Sequence, residues 1–293
     1  MEGAEKMGTL LTKFKHRTTL KKSKVNKILL TIFMILFAIL MIIPFILMIS
    51  ASFKHSAVAF ANIFEVIPKN IYLGNYEALL KDPLYFKWFL NSVFVVILTI
   101  ALKIVVVSMA AYAFARLRFK HRDLLFVIIM SAMMISPDTT IVPRYLLYRS
   151  MGLTDSLWVL IVPSLFGVYF VFLLRQFFMA IPMELSEAAL IDGCSHFKIY
   201  RSIILPLAKP AIMTMVLFIF IWSWNDYINP SVFITPIEKQ VLTVGLQSFQ
   251  SEYSADTSLQ MAGVCIAVLP IIILFSCIQK YFVEGISSTG IKG

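Results

Sequence analysis

Six apolar runs, most of them near the length that crosses a bilayer, constrain this chain more than any other feature. A helix rises about 1.5 Å per residue, so about 20 apolar residues cover the hydrocarbon core. The runs are Ile28 to Ile49, bounded by Lys27 and Lys54; Trp88 to Phe114, interrupted by Lys103; a run from Leu124 that weakens at Pro137-Asp138; Ser156 to Leu174; Ala211 to Trp224, continuing to Pro230; and Leu259 to Phe282. The third is the shortest, and Pro137 and Pro143 are expected to bend or end it. Composition agrees: 59% of the 293 residues are hydrophobic and 14% are charged, against about 25% charged in soluble domains. The expected fold class is an all-α membrane protein with about six transmembrane helices.

The net charge of +10 sits in short blocks between the apolar runs, which fits membrane topology and not nucleic-acid binding. Eight basic residues precede the first run: Lys6, Lys13, Lys15, Arg17, Lys21, Lys22, Lys24 and Lys27. Arg116, Arg118, Lys120 and Arg122 follow the second, Arg175, Lys198, Arg201 and Lys209 follow the fourth, and Lys280 and Lys292 close the chain. The alternate loops carry seven basic residues and eight acids. The positive-inside rule therefore predicts both termini in the cytoplasm, consistent with an even number of spans. The expected organisation is a basic tail at 1–27, a first span at 28–50, an external loop at 51–87, a five-helix core at 88–283 and a C-terminal tail at 284–293. The first run is longer than a signal-peptide core and no clear cleavage site follows it, so it reads as a retained helix.

The segment 182–206, between the fourth and fifth runs, is longer than a simple connection and carries clear punctuation. Pro182 suits a first helical position, Glu184 and Glu187 suit the positive end of a helix, and Gly193 suits a left-handed stop. A second short helix is expected to carry Phe197, Tyr200 and Ile204 on one side and to close at Pro206. The small Ala188 and Ala189 permit close approach of another surface, and Glu187 and Asp192 offer it charge. The residues alone leave two roles open: docking to a protein, or lying on the lipid surface.

The spacing of Glu187-Ala188-Ala189, Gly193, Ile203 and Leu205-Pro206 resembles, at every position, the EAA loop of ATP-binding-cassette importer permeases. Asn91-Ser92, the stretch from Ala111 to Arg116, Trp224-Asn225-Asp226, the stretch from Gln279 to Ile286 and Gly290-Ile-Lys-Gly are similar to the maltose-type carbohydrate permeases, and within that group to permeases for complex oligosaccharides or polysaccharides, including alginate importers. The resemblance runs from about Asn75 to the end. It implies the type I importer permease fold in a bacterial inner membrane, with 182–206 forming a coupling helix held in a groove of an ATPase subunit. The coupling residues would be Glu187, Ala188, Ala189, Asp192, Gly193, Leu205 and Pro206. The implied partners are a second, different permease subunit, two ATPase subunits that use ATP and Mg, and an extracytoplasmic substrate-binding protein.

No catalytic or cofactor site of the chain's own is expected. Gly285 to Lys292 begins with phosphate-loop spacing, but Lys-Ser/Thr does not follow and no strand precedes it. His16, His55, His121 and His196 all lie in tails or loops, and Cys194-x-His196 offers only two metal ligands. Two ionisable residues lie within apolar runs: Lys103, which could snorkel or pair with a neighbouring subunit, and Asp226. Trp224, Asn225, Asp226 and Tyr227 are candidates for a sugar path, or for an interfacial belt where Trp and Tyr collect in any case. An ion-coupled secondary transporter or channel is the alternative function. It would rest on those same two charges.

Overall fold

The computed structural model describes residues 2–55, 68, 70–251 and 254–289, and the side chains of 27–55, 68, 70–249 and 256–280. Part of the expected external loop (56–67 and 69) and the motif from Gly290 onward lie outside the described residues. The described chain is almost wholly helical, with one two-residue antiparallel pair, Gln250–Ser251 with Ser254–Ala255. Three helical segments are each long and apolar enough to cross a membrane: Lys27–Ser52, Pro83–Arg116 and Thr257–Lys280. Three bent pairs bring the count to six when each is one span: Arg122–Met134 with Asp138–Ser150 (85°), Trp158–Leu165 with Val168–Ala180 (41°) and His196–Leu207 with Lys209–Trp224 (78°).

Helix α1 (Glu2–Ser52) is continuous from the basic segment through the first span. Between Ile28 and Phe45 it is exposed on all sides, as a helix surrounded by lipid tails requires. After α2 (Gly74–Lys81), Asp82 caps α3 (Pro83–Arg116): its carboxylate accepts the Leu84 N–H at 2.8 Å, and Pro83 takes the first helical position. The α3 helix is the hub. It packs against α7 (Val168–Ala180), α11 (Lys209–Trp224) and α13 (Leu242–Gln247). Its residues Asn91 and Ser92 clasp the segment leading into α13: Asn91 Nδ2 donates to Gln240 O at 2.8 Å, and Ser92 Oγ accepts the Leu242 N–H at 2.8 Å. The last span, α14 (Thr257–Thr289), packs on α1 and α11 and begins where Asp256 accepts the Leu259 N–H at 3.0 Å.

The third span turns by 85° across Ser136-Pro137, between α4 (Arg122–Ser131) with its short extension to Met134 and α5 (Ile141–Ser150). That is the break the proline placed there. The fourth opens with the short α6 (Trp158–Ile161) and bends before Val168. The fifth departs from expectation. Helix α11 stops at Trp224, and Pro230 belongs to a separate helix, α12 (Ile228–Phe233). Asn225 Nδ2 donates back to Ile221 O at 2.8 Å, and Asp226 Oδ1 accepts the Asn229 N–H at 3.2 Å, so local side chains take over from the helical ladder.

Gly245 lets α13 lie directly on α3. A Cβ there would stand 2.2 Å from the Trp88 ring, and Trp88 is held in place by donating Nε1–H to Ile237 O at 2.7 Å. Gly245→Val is therefore expected to lower the thermal unfolding midpoint in detergent by several degrees, the effect of about 1–3 kcal/mol of overpacking. An unchanged midpoint would contradict this packing.

Candidate functional site

The segment 182–206 folds as two short helices. The first, α8 (Glu184–Ile191), carries Glu184 and Glu187 in its opening turn. It ends in a six-residue stop: Cys194 N–H donates to Ala189 O at 2.9 Å and Gly193 N–H to Leu190 O at 3.0 Å, with Gly193 at φ +77°. Ser195 then caps α9 (His196–Ile199), accepting the Lys198 N–H at 3.3 Å.

Two details differ from the sequence pattern. Pro206 does not close the second helix: the chain stays helical through α10 (Leu205–Leu207) and bends at Ala208. The proline removes one helical donor, and the turn just before it, Tyr200–Ile204, widens to π geometry. The buried face is Ile199, Tyr200 and Ile204, while Phe197 is 59% exposed. The buried set packs into the cluster of Phe170, Leu174, Phe178 and Ala211, and Phe197 lies against the Tyr200 ring.

The α8 helix has two distinct faces. Ser186 and Ala189 point inward, and Ala189 joins the core cluster. Ala189 therefore lets the chain's own core approach, whereas Ala188 keeps the outer surface low. Glu187, Ala188, Leu190, Ile191 and Asp192 face outward, with Ile191 87% exposed. Leu205 is half-buried against the core and Pro206 is exposed. The sequence reading passed over Ile191, an apolar residue beside the glycine stop.

It also missed how the loop is tethered. Arg116, the last residue of α3, is buried and donates from Nη2 to Phe178 O and Ile181 O, both at 2.6 Å, and from Nη1 to Met183 Sδ at 2.9 Å. Two turns earlier on α3, Ser108 Oγ and Tyr200 Oη share a hydrogen bond of 2.7 Å, and Tyr112 packs on the Tyr200 ring. The second span thus contacts the residues leading into α8 and the turn that follows α9.

A cavity of about 550 Å³ lies between α3, α5, α11 and α12. Lys103, Arg144, Trp222, Asp226 and Asn229 contribute its chemistry. The four candidate path residues are not equivalent. Trp224 is buried and donates Nε1–H to Ala267 O at 3.0 Å. With Asn225 and Tyr227 it lines a separate cavity of about 300 Å³. Asp226 alone of the four lines the large cavity, although Asn225 and Tyr227 border an open recess that shares Arg144 and Asn229 with it. Lys103 Nζ lies 5.1 Å over the Phe170 ring beside this cavity. Trp222 and Arg144 were invisible as site residues because only the fold brings them to Lys103.

The described chain is thus a multi-span helical membrane protein with a helical loop packed at the end of its second span and a polar cavity beside its fifth. The chain matches the binding-protein-dependent transport system inner membrane component family over residues 18–288 and belongs to it. It is 32% identical to the arabinooligosaccharides transport system permease protein AraQ of Bacillus subtilis, over 92% of this chain and 97% of that one. It is 31% identical to the polygalacturonan/rhamnogalacturonan transport system permease protein YtcP of the same organism, over 93% and 100% respectively. Its fold is that of a chain of a bacterial transporter that imports the acidic polysaccharide alginate, with a TM-score of 0.81, 24% identity and coverage of 88% and 97%.

Arg116→Met is expected to leave two carbonyls without their donor and loosen residues 181–194, costing about 1–3 kcal/mol. Amide exchange at Gly193 and Cys194 checks it: faster exchange is expected there, with the α11 core unchanged. Gly193→Val should do similar local damage through its backbone, since the left-handed region costs a residue with a Cβ about 1–2 kcal/mol, although no atom lies within 4 Å of the added Cβ.

Proposed function

We propose that this permease moves a carbohydrate, an oligosaccharide or a fragment of a polysaccharide, across a bacterial inner membrane by alternating access driven by partner ATPase subunits. The relatives named for arabinooligosaccharides and polygalacturonan, each aligned over nearly its whole length, support the substrate class. The basic residues, 18 on one set of loops against seven on the other, support cytoplasmic termini and a cytoplasmic 182–206 segment.

The observation that carries the mechanism is the rigid attachment of that segment to α3. The outer face of α8, with Glu187, Ala188 and Ile191, docks in a groove of an ATPase subunit. Asp192 and Gly193 shape its end, and Leu205 with Pro206 passes the chain to α11. Closure of two ATPase subunits on ATP and Mg drags α8, and the three Arg116 contacts and the Tyr200–Ser108 bond pass that displacement to the second span. Nucleotide chemistry stays on the partners. A second, different permease subunit completes the pathway, and an extracytoplasmic binding protein delivers the sugar. The two arrangements differ in what they contact, which is the source of the coupling.

Glu187→Lys reverses a charge on the docking face, where the side chain is exposed. It is expected to leave membrane insertion intact and to lower ATP-driven sugar uptake by about tenfold or more. Uptake at the unsubstituted rate, with normal amounts of protein in the membrane, would defeat this reading.

A further inference from the structure

We propose that the large cavity is an anion-selecting station that holds a carboxylate of the transported sugar, so that the substrate is an acidic, uronate-bearing saccharide. The inference rests on the carbohydrate reading above and narrows it to one class.

Lys103 lies within the second span, is 8% exposed, and lines the cavity. Among the described residues its ammonium has no acidic partner within 4.0 Å and no hydrogen bond, and its neighbour is the Phe170 ring. An intramembrane cation without a counterion is costly and serves a function. Room has been kept for it: a Cβ on Gly167 would lie 2.5 Å from Lys103 Cε. Arg144, on the same cavity, donates to Asn229 Oδ1 at 3.3 Å and to Pro137 O at 3.0 Å, and its buried Nε–H has no partner. Asp226 is the cavity's acid, and its two carboxylate oxygens already accept from Asn229, the backbone N–H at 3.2 Å and Nδ2 at 2.8 Å. The cavity thus holds two cations against one carboxylate, which is bonded to Asn229 and also attracts Arg144, so Lys103 is the cation left over.

Trp222 supplies the second element of recognition. It is half-exposed, lines the cavity, and is braced by Phe170 at 5.2 Å and Phe218 at 5.7 Å between ring centroids. A braced aromatic face beside an unpaired cation suits a sugar ring bearing a carboxylate: the ring stacks on the indole and the carboxylate meets Lys103 Nζ. A neutral sugar would leave the ammonium unpaired, which is the selecting penalty.

The complex purified through this chain, without its binding protein, is titrated with trigalacturonate, with trigalacturonate methyl ester and with maltotriose, reading tryptophan fluorescence. Trigalacturonate is expected to give a saturable change that Trp222→Phe removes and that weakens with salt. The ester and maltotriose should bind about tenfold more weakly or not at all, and Lys103→Met should weaken trigalacturonate by about the same factor. Equal responses to acid and ester, an unchanged response in Lys103→Met, or no response to any of the three would overturn the proposal. If Lys103→Met fails to assemble, the acid–ester comparison on the unaltered protein still decides. An ATPase assay on the same preparation separates the two readings: absence of ATP hydrolysis removes the importer reading and leaves the acid–ester comparison standing.

Discussion

The proposed coupling depends on one side chain, Arg116, which reaches across the end of the second span to the carbonyls that close α7 and lead into α8. A guanidinium has five donors in a rigid fork and does not lose its charge, so it fixes several acceptors at once. Here it holds Phe178 O, Ile181 O and the Met183 sulfur, while Tyr200 and Ser108 make the matching link on the far side of the loop. A loop held this way moves with its span. The six-residue stop at Gly193 gives it a definite shape, and the buried faces of α8 and α9 leave one outer surface for a neighbour.

The same span serves the other end of the machine. On one helix, Arg116 meets the loop, Lys103 meets the cavity, and Asn91 and Ser92 hold the segment that leads into α13. In the proposed mechanism, a displacement at residue 116 would reach the group that faces the cavity along one continuous helix. The α3 helix is continuous, whereas the third, fourth and fifth spans are each bent.

Much of this was legible before any coordinates. The six spans follow from apolar run length, since only a bilayer accepts such segments, and the two short helices around Gly193 follow from local turn chemistry. What was not legible depends on packing between distant segments. The motif from Ala111 to Arg116 marks Arg116 but not its role, because the carbonyls it meets lie about 65 residues away. Trp224 was open to a sugar path or an interfacial belt; its indole N–H donates to Ala267 O and its ring lies in a core cluster. Trp222, two residues earlier on α11, takes the other side of the helix and opens to the cavity. The break after Trp224 does not show in the apolar run, because it depends on Asn225 and Asp226 bonding nearby backbone. Charge counted over whole loops gave a near-neutral outer face, and the surplus of cations appears only when Lys103 and Arg144 are seen in one cavity.

The central claim is that α8 transmits work from an ATP-hydrolysing neighbour. The most direct measurement places a single cysteine at Ala188, on the outer face of α8, after replacing Cys194, Cys265 and Cys277, and treats membranes with a short thiol–amine crosslinker. The account predicts a covalent product with an ATP-hydrolysing subunit, formed from the cytoplasmic side and changed in yield when ATP is added. Labelling of that cysteine from outside the cell, or a crosslinker that never captures such a subunit, would contradict it.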